Sequence, residues 1–154
     1  MMRRYTMLIL LVLLSILFTG CDNSYAENDY DNDDKLTAKG DQCSKVGAVL
    51  ESVKHGYSLK MKKFDGRYTL WSKSLKLDRE TDVEIEMSAS AGVMKLVYID
   101  RHGNITTLAE LDTADAKSTT VTSSVTMPKG RNAIKLVGYG CEDIVLKLLL
   151  PGIQ

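Results

Sequence analysis

Two histidines, three cysteines and one tryptophan are the scarcest chemistry-bearing residues in this 154-residue chain, and they bound what it can do. Nucleophilic catalysis needs a base within hydrogen-bond reach of its partner, and only His55 and His102 offer an imidazole. His55 closes an apolar-periodic stretch, where a cation is favourable, and His102 sits in a turn with Gly103 and Asn104. No Gly-x-Ser-x-Gly elbow surrounds any serine. Asp82, Glu84 and Glu86 share a strand face and could supply the paired carboxylates of glycoside hydrolysis. Beside Val83, Ile85 and Met87, that period-2 spacing describes more simply the wet side of a sheet. Glu142 and Asp143 read as exposed turn residues. Asp29, Asp31 and Asp33 alternate as in an EF-hand loop, but the central Gly and distal Glu of that loop are missing. The expectation is a non-enzyme with no cofactor and no metal.

Binding chemistry has more material. Trp71, with Tyr57 and Tyr68, could form a sugar-stacking platform, since an aromatic ring offers a flat apolar face and Tyr and Trp a polar handle. The competing expectation puts Trp71 in the core. Residues 54–76 carry seven bases against the single acid Asp65. Lys60, Lys62, Lys63, Arg67 and Lys73 could present a face to an anionic polymer or to lipid headgroups. Equally, such bases on an edge hairpin would discourage strand-to-strand aggregation. Cys43 and Cys141 could form a disulfide closing about a hundred residues, or remain two thiols.

The chain that positions these groups divides by composition. Arg3 and Arg4 precede the apolar run 7–18, which is too short to stay across a bilayer but fits the core of a secretory signal. The run leaves through Phe18-Thr19-Gly20-Cys21. This exit resembles the lipobox of bacterial lipoproteins, in which small residues precede the cysteine that receives a diacylglycerol. The resemblance implies a signal at 1–20, cleavage before Cys21, and Cys21 as the lipidated first residue at the cell membrane, on its extracytoplasmic face. A rival cut after Ala26, at Ser24-Tyr25-Ala26, would release a secreted protein.

Residues 22–34 hold six acids and no base, so 21–40 is expected to be a disordered tether. Zero net charge therefore splits into +2 in the signal, −6 at 22–34 and +4 over the 18 bases and 14 acids of 35–154. A balance this small gives no footprint for nucleic acid.

From residue 41 a single domain is expected. Val46, Val49, Leu50 and Val53 recur at i, i+3, i+4 and i+7, which predicts a short helix over 44–54, with a first strand as the competitor. Strands are expected at 56–64 and 68–77, around an Asp65-Gly66 hairpin turn, and at 82–87. Residues 93–100 are nearly all apolar and predict burial on both faces. Further strands follow at 105–111, 117–127, 133–139 and 144–150, with turns at Pro128-Lys129-Gly130 and 140–143. About eight strands with frequent turns describe a mainly β, antiparallel β-sandwich at 41–154.

The rhythm of Met94–Asp100 and of Gly130-Arg131-Asn132-Ala133-Ile134 resembles the jelly-roll sandwiches of envelope lipoproteins and of carbohydrate-binding modules. The resemblance implies a binding or structural role at the cell envelope, or alternatively recognition of a cell-wall or environmental glycan. Expected partners are the membrane through the lipid, and cell-wall polysaccharide, an anionic envelope surface or another envelope protein.

Overall fold

Alternation of apolar and polar side chains, interrupted at two places, decides how this chain folds. The computed structural model describes residues 24–153: two short helices, α1 (Ser24–Tyr30) and α2 (Asp33–Thr37), then eight strands. The strands are β1 (Gln42–Val46), β2 (Val49–Val53), β3 (Gly56–Leu75), β4 (Arg79–Ser88), β5 (Ala91–Ile99), β6 (Ile105–Asp112), β7 (Ser118–Met127) and β8 (Gly130–Leu149). The signal segment and Cys21 lie outside the described residues.

All pairings are antiparallel. β3 and β8 run side by side along their whole lengths, Gly56 opposite Leu149 and Leu75 opposite Gly130. The first half of β8 pairs with β5, which pairs with β6, and its second half pairs with β4, which pairs with β7. One continuous sheet is thereby folded over into the two layers of a sandwich. Its core draws Val83, Ile85 and Met87 from β4, Met94 and Leu96 from β5, Leu108 and Leu111 from β6, Val125 and Met127 from β7, and Ile134, Leu136, Leu146 and Leu148 from β8.

Five expectations are corrected. The Asp65-Gly66 dipeptide is not a hairpin turn, and 140–143 is not a loop between strands. Both are mid-strand irregularities in β3 and β8, where the register shifts between Phe64 and Gly66. Gly66 adopts φ 107° and Asp143 φ 49°, and the Asp65 carboxylate accepts the Gly140 N–H at 2.7 Å, so the two strands bend together.

The helix expected over 44–54 is instead β1 and β2, both paired to β3. Three of the four stripe residues are β-branched valines that suit extended backbone. The stripe buries nothing: Val46, Val49, Leu50 and Val53 stay exposed.

Over residues 24–37 the acidic segment is not a disordered tether. α1 and α2 pack on the outer face of the β5–β8 layer, where Tyr30 and Leu36 join Val97, Ile99 and Val137 in a second apolar cluster. Composition missed this because three apolar side chains, Ala26, Tyr30 and Leu36, suffice for docking when the sheet beneath supplies the counter-charges.

Finally, Cys43 and Cys141 are free thiols. They lie opposite Gly66 and Phe64 on either side of β3. Strands two apart are separated by about 10 Å, beyond the reach of about 7 Å between Cα atoms that a disulfide allows. Burial, with Asp65 adding to it, pushes the Cys141 thiol up to about 12.

The shared bend sets a test. A Cβ on Gly66 would meet the Gln42 carbonyl oxygen at 2.1 Å, whereas one on Gly140, also at positive φ, has nothing nearer than 3.9 Å. Gly66→Ala should cost about 3 kcal/mol or more in denaturant unfolding and Gly140→Ala about 1 kcal/mol. Equal costs would contradict a bend held by close approach at Gly66.

Candidate functional site

The outer face of the β5–β8 layer is where charge is concentrated. Arg67, Lys95 and Lys135 are all buried, and the register sets them among apolar neighbours: Arg67 and Lys95 flank Val137, and Lys135 lies opposite Val97. A lysine inside an otherwise apolar strand needs an anion or carbonyl above it, and the N-terminal helices supply both. Arg67 Nε donates to Asp29 Oδ2 at 3.2 Å, with the two side chains only 6% and 10% exposed. The same guanidinium donates to the Lys35 carbonyl at 2.5 Å and to Gln42 Oε1 at 3.1 Å.

Lys95 Nζ reaches Asp31 Oδ1 at 2.5 Å and stands 4.1 Å above the Tyr30 ring. Tyr30 donates its hydroxyl to Glu110 Oε1 at 2.8 Å and packs edge-on against Tyr139. Burial, then Glu110, holds the Tyr30 phenol well above its ordinary range. Asn32 caps α2 by accepting the Lys35 N–H.

Where α2 ends, the same face is open. A cleft of about 250 Å³ lies between the end of α2, the β5–β6 turn and the start of β8. Lys39, Arg101, His102, Arg131 and Lys135 line it, and Asp100 is its one acid. Lys135 Nζ donates to the Ala38 carbonyl at 2.6 Å, and burial pulls its pKa below the usual lysine range.

Asp100 is committed to the turn: its carboxylate accepts the His102 and Asn104 amides and the Asn104 side-chain N–H. Burial would raise its pKa, but those hydrogen bonds outweigh it and hold the carboxyl below its ordinary value. The His102 ring is engaged by Arg101, whose Nε lies 2.8 Å from His102 Nε2. Asn132 fixes the neighbouring turn, donating to the Pro128 and Gly130 carbonyls at 2.8 Å and accepting the Tyr98 hydroxyl at 2.5 Å. With its acid occupied by backbone and Lys135 held by the Ala38 carbonyl, the cleft leaves the exposed Lys39, Arg101 and Arg131 to meet an anionic group.

The residues singled out from the sequence fall elsewhere. Trp71 is buried in the main core, with Tyr57 and Tyr68 half-buried against it, so they form no exposed stacking platform. Lys60, Lys62 and Lys63 lie on the first half of β3, Lys63 paired with Glu142 at 3.0 Å. Lys73 sits toward the far end of that strand and Arg67 is buried under α1, so the five do not converge. Asp82, Glu84 and Glu86 are exposed along β4, as the alternation required, and Glu86 pairs with Lys147 at 3.0 Å. His55 occupies the β2–β3 turn at φ 65°. Among the described residues no cluster of metal-ligating side chains forms. The sequence reading missed Lys39, Arg101, Arg131 and Lys135. The available signal was Lys95 and Lys135, each interrupting an apolar run.

No family model and no curated protein matches the chain. Solved structures do match. A variant of family 29 carbohydrate-binding module aligns over 73% of this chain and 79% of its own, at 11% identity and a TM-score of 0.41. A family 35 carbohydrate-binding module from an environmental isolate aligns over 71% and 77%, at 17% identity and TM-score 0.36. The exo-β-1,3-galactanase of Phanerochaete chrysosporium aligns at 12% identity and TM-score 0.39 over 73% of this chain, which spans only 28% of the enzyme's length.

The helix-to-sheet ion pair gives a direct test. Arg67→Met leaves Asp29 buried without its base and should destabilise the protein by about 3–5 kcal/mol. Arg67→Met with Asp29→Leu should recover most of that loss in urea unfolding. A single variant that unfolds like the parent would contradict the pairing.

Proposed function

We propose that this protein is a lipid-anchored, non-catalytic binding module on the extracytoplasmic face of the cell membrane, and that its basic cleft takes an anionic group of an envelope or environmental glycan. The cleft carries the reading: Lys39, Arg101, His102, Arg131 and Lys135 surround an opening whose acid, Asp100, is held by the β5–β6 turn. No aromatic side chain lines it, so recognition rests on charge rather than on stacking against a neutral sugar.

The anchor rests on the lipobox-like exit at Cys21. A second observation supports cleavage there rather than after Ala26. Ala26 lies within α1 and is fully buried, so the rival cut would strip the helix of a packed residue.

Calorimetric titration tests the ligand, and palmitate labelling tests the anchor. Polygalacturonate should bind at least ten times more tightly than neutral mannan or cello-oligosaccharides, with affinity falling as salt rises. Arg101→Glu with Arg131→Glu should abolish that preference. Equal binding of neutral glycans, or binding unchanged in the double variant, would contradict the site. Radiolabelled palmitate should enter the parent and not Cys21→Ser. A released form beginning near residue 27 would contradict the anchor.

A further inference from the structure

The edge formed by β1 and β2 is not explained by the cleft. These strands pair with β3 on one side only, and the residues opposite one another follow a single register, Gln42 to Arg67 at one end and Val53 to Gly56 at the other. They therefore make one long edge, kinked at Gly47, which takes φ 61°. Along it Val46, Val49, Leu50 and Val53 are 37–53% exposed, and they account for four of the six large hydrophobic side chains exposed among the described residues. Within residues 42–63 Lys45, Lys54, Lys60, Lys62 and Lys63 outnumber the single acid Glu51; Lys63 pairs with Glu142 and Lys45 stands over the Tyr68 ring. Lys54, Lys60 and Lys62 are exposed. Strand alternation sets Val46 and Leu50 on one face of this edge and Val49 and Val53 on the other, so the edge is apolar on both sides with lysines beside it. An apolar edge accompanied by lysines is the composition of a surface that settles edge-on into the headgroup layer of an anionic membrane, the alkyl stems following the apolar side chains and the ammonium groups meeting phosphate.

The path of the chain leads to the same place. Tyr25, at the start of α1, lies beside the Ser44 backbone and near Cys43 and Asp65. Only two residues separate Cys21 from Ser24, a span of about 10 Å at full extension. Because α1 is docked on the sheet, an acyl chain on Cys21 would be tethered within about 10 Å of the start of α1, the helix whose Tyr25 lies beside β1.

We propose that the β1–β2 edge is the surface on which this domain rests against a bilayer of anionic phospholipid, leaving the rest of the sandwich to face away from it. The orientation rests on the Cys21 anchor proposed above; the affinity of the edge for anionic lipid does not.

Cosedimentation with vesicles separates the two. The chain beginning at residue 21 and carrying Cys21→Ser has no acyl group and is mixed with vesicles of phosphatidylcholine alone or with an equal part of phosphatidylglycerol. Partitioning onto the mixed vesicles should exceed that onto phosphatidylcholine at least tenfold. Lys54→Glu, Lys60→Glu and Lys62→Glu together should remove the difference. Val49→Asp with Leu50→Asp should weaken partitioning several-fold, and Lys76→Glu with Arg79→Glu, in the β3–β4 turn region, should leave it unchanged.

Equal partitioning onto both vesicle types, or equal loss from the Lys76/Arg79 variant, would overturn the proposal. So would a lipid-free dimer abolished by Leu50→Asp, which would assign the edge to a second copy of the chain. Vesicle binding that persists while palmitate fails to label Cys21 would remove the anchor and leave the lipid-binding edge standing.

Discussion

The bend shared by β3 and β8 is the constraint on which the rest of this structure depends. Two strands of 20 residues cannot stay straight within a domain of this size. They turn together where Asp65 accepts the Gly140 amide and where Gly66 brings its backbone against Gln42. Beyond the bend on one side β8 offers its free edge to β5, and on the other side to β4. A single sheet thus becomes two layers without a connecting loop, and the core between them fills with the alternating residues of every strand from β3 to β8.

That arrangement leaves one layer with a problem that the N-terminal segment solves. The outer face of the layer formed by β3, β5 and β8 is apolar around Arg67, Lys95 and Lys135, and water would be a poor cover for it. α1 and α2 bring Tyr30 and Leu36 to the apolar part, and Asp29, Asp31 and main-chain carbonyls to the cations. The −6 of the acidic segment and the +4 of the domain are complementary because the two touch, and the +2 of Arg3 and Arg4 completes the chain's zero net charge. The cleft is the continuation of the same face past the last residue of α2, where Lys39, Arg101 and Arg131 are exposed.

What the sequence made legible follows from this. Val83, Ile85 and Met87 alternate because one face of β4 is wet, and 93–99 is apolar apart from Lys95 because β5 is covered twice, so both were readable. Asp65-Gly66 read as a turn because local preference is the same for a turn and a bulge, and only the pairing with β8 distinguishes them. The valines at 46, 49 and 53 fit a helical period by coincidence of spacing on an exposed edge, where nothing buried enforces a period of two. The expected count of about eight strands holds because two long strands replaced four short ones while β1 and β2 replaced a helix. The covering role of 24–37 was hidden because its partners lie about 30 to 110 residues away and its composition is that of a solvated chain.

A docked acidic segment joins the two ends of the functional account, holding the domain next to its proposed anchor and forming one wall of the cleft. Amide hydrogen exchange of residues 25–37 in the chain beginning at residue 21 tests this most directly. Docked helices predict amides of α1 and α2 that exchange at least about a hundred times more slowly than in an unstructured peptide. That protection should fall in Arg67→Met. Exchange at the unstructured rate, unchanged by that substitution, would mean that the segment is a free tether and would contradict the account.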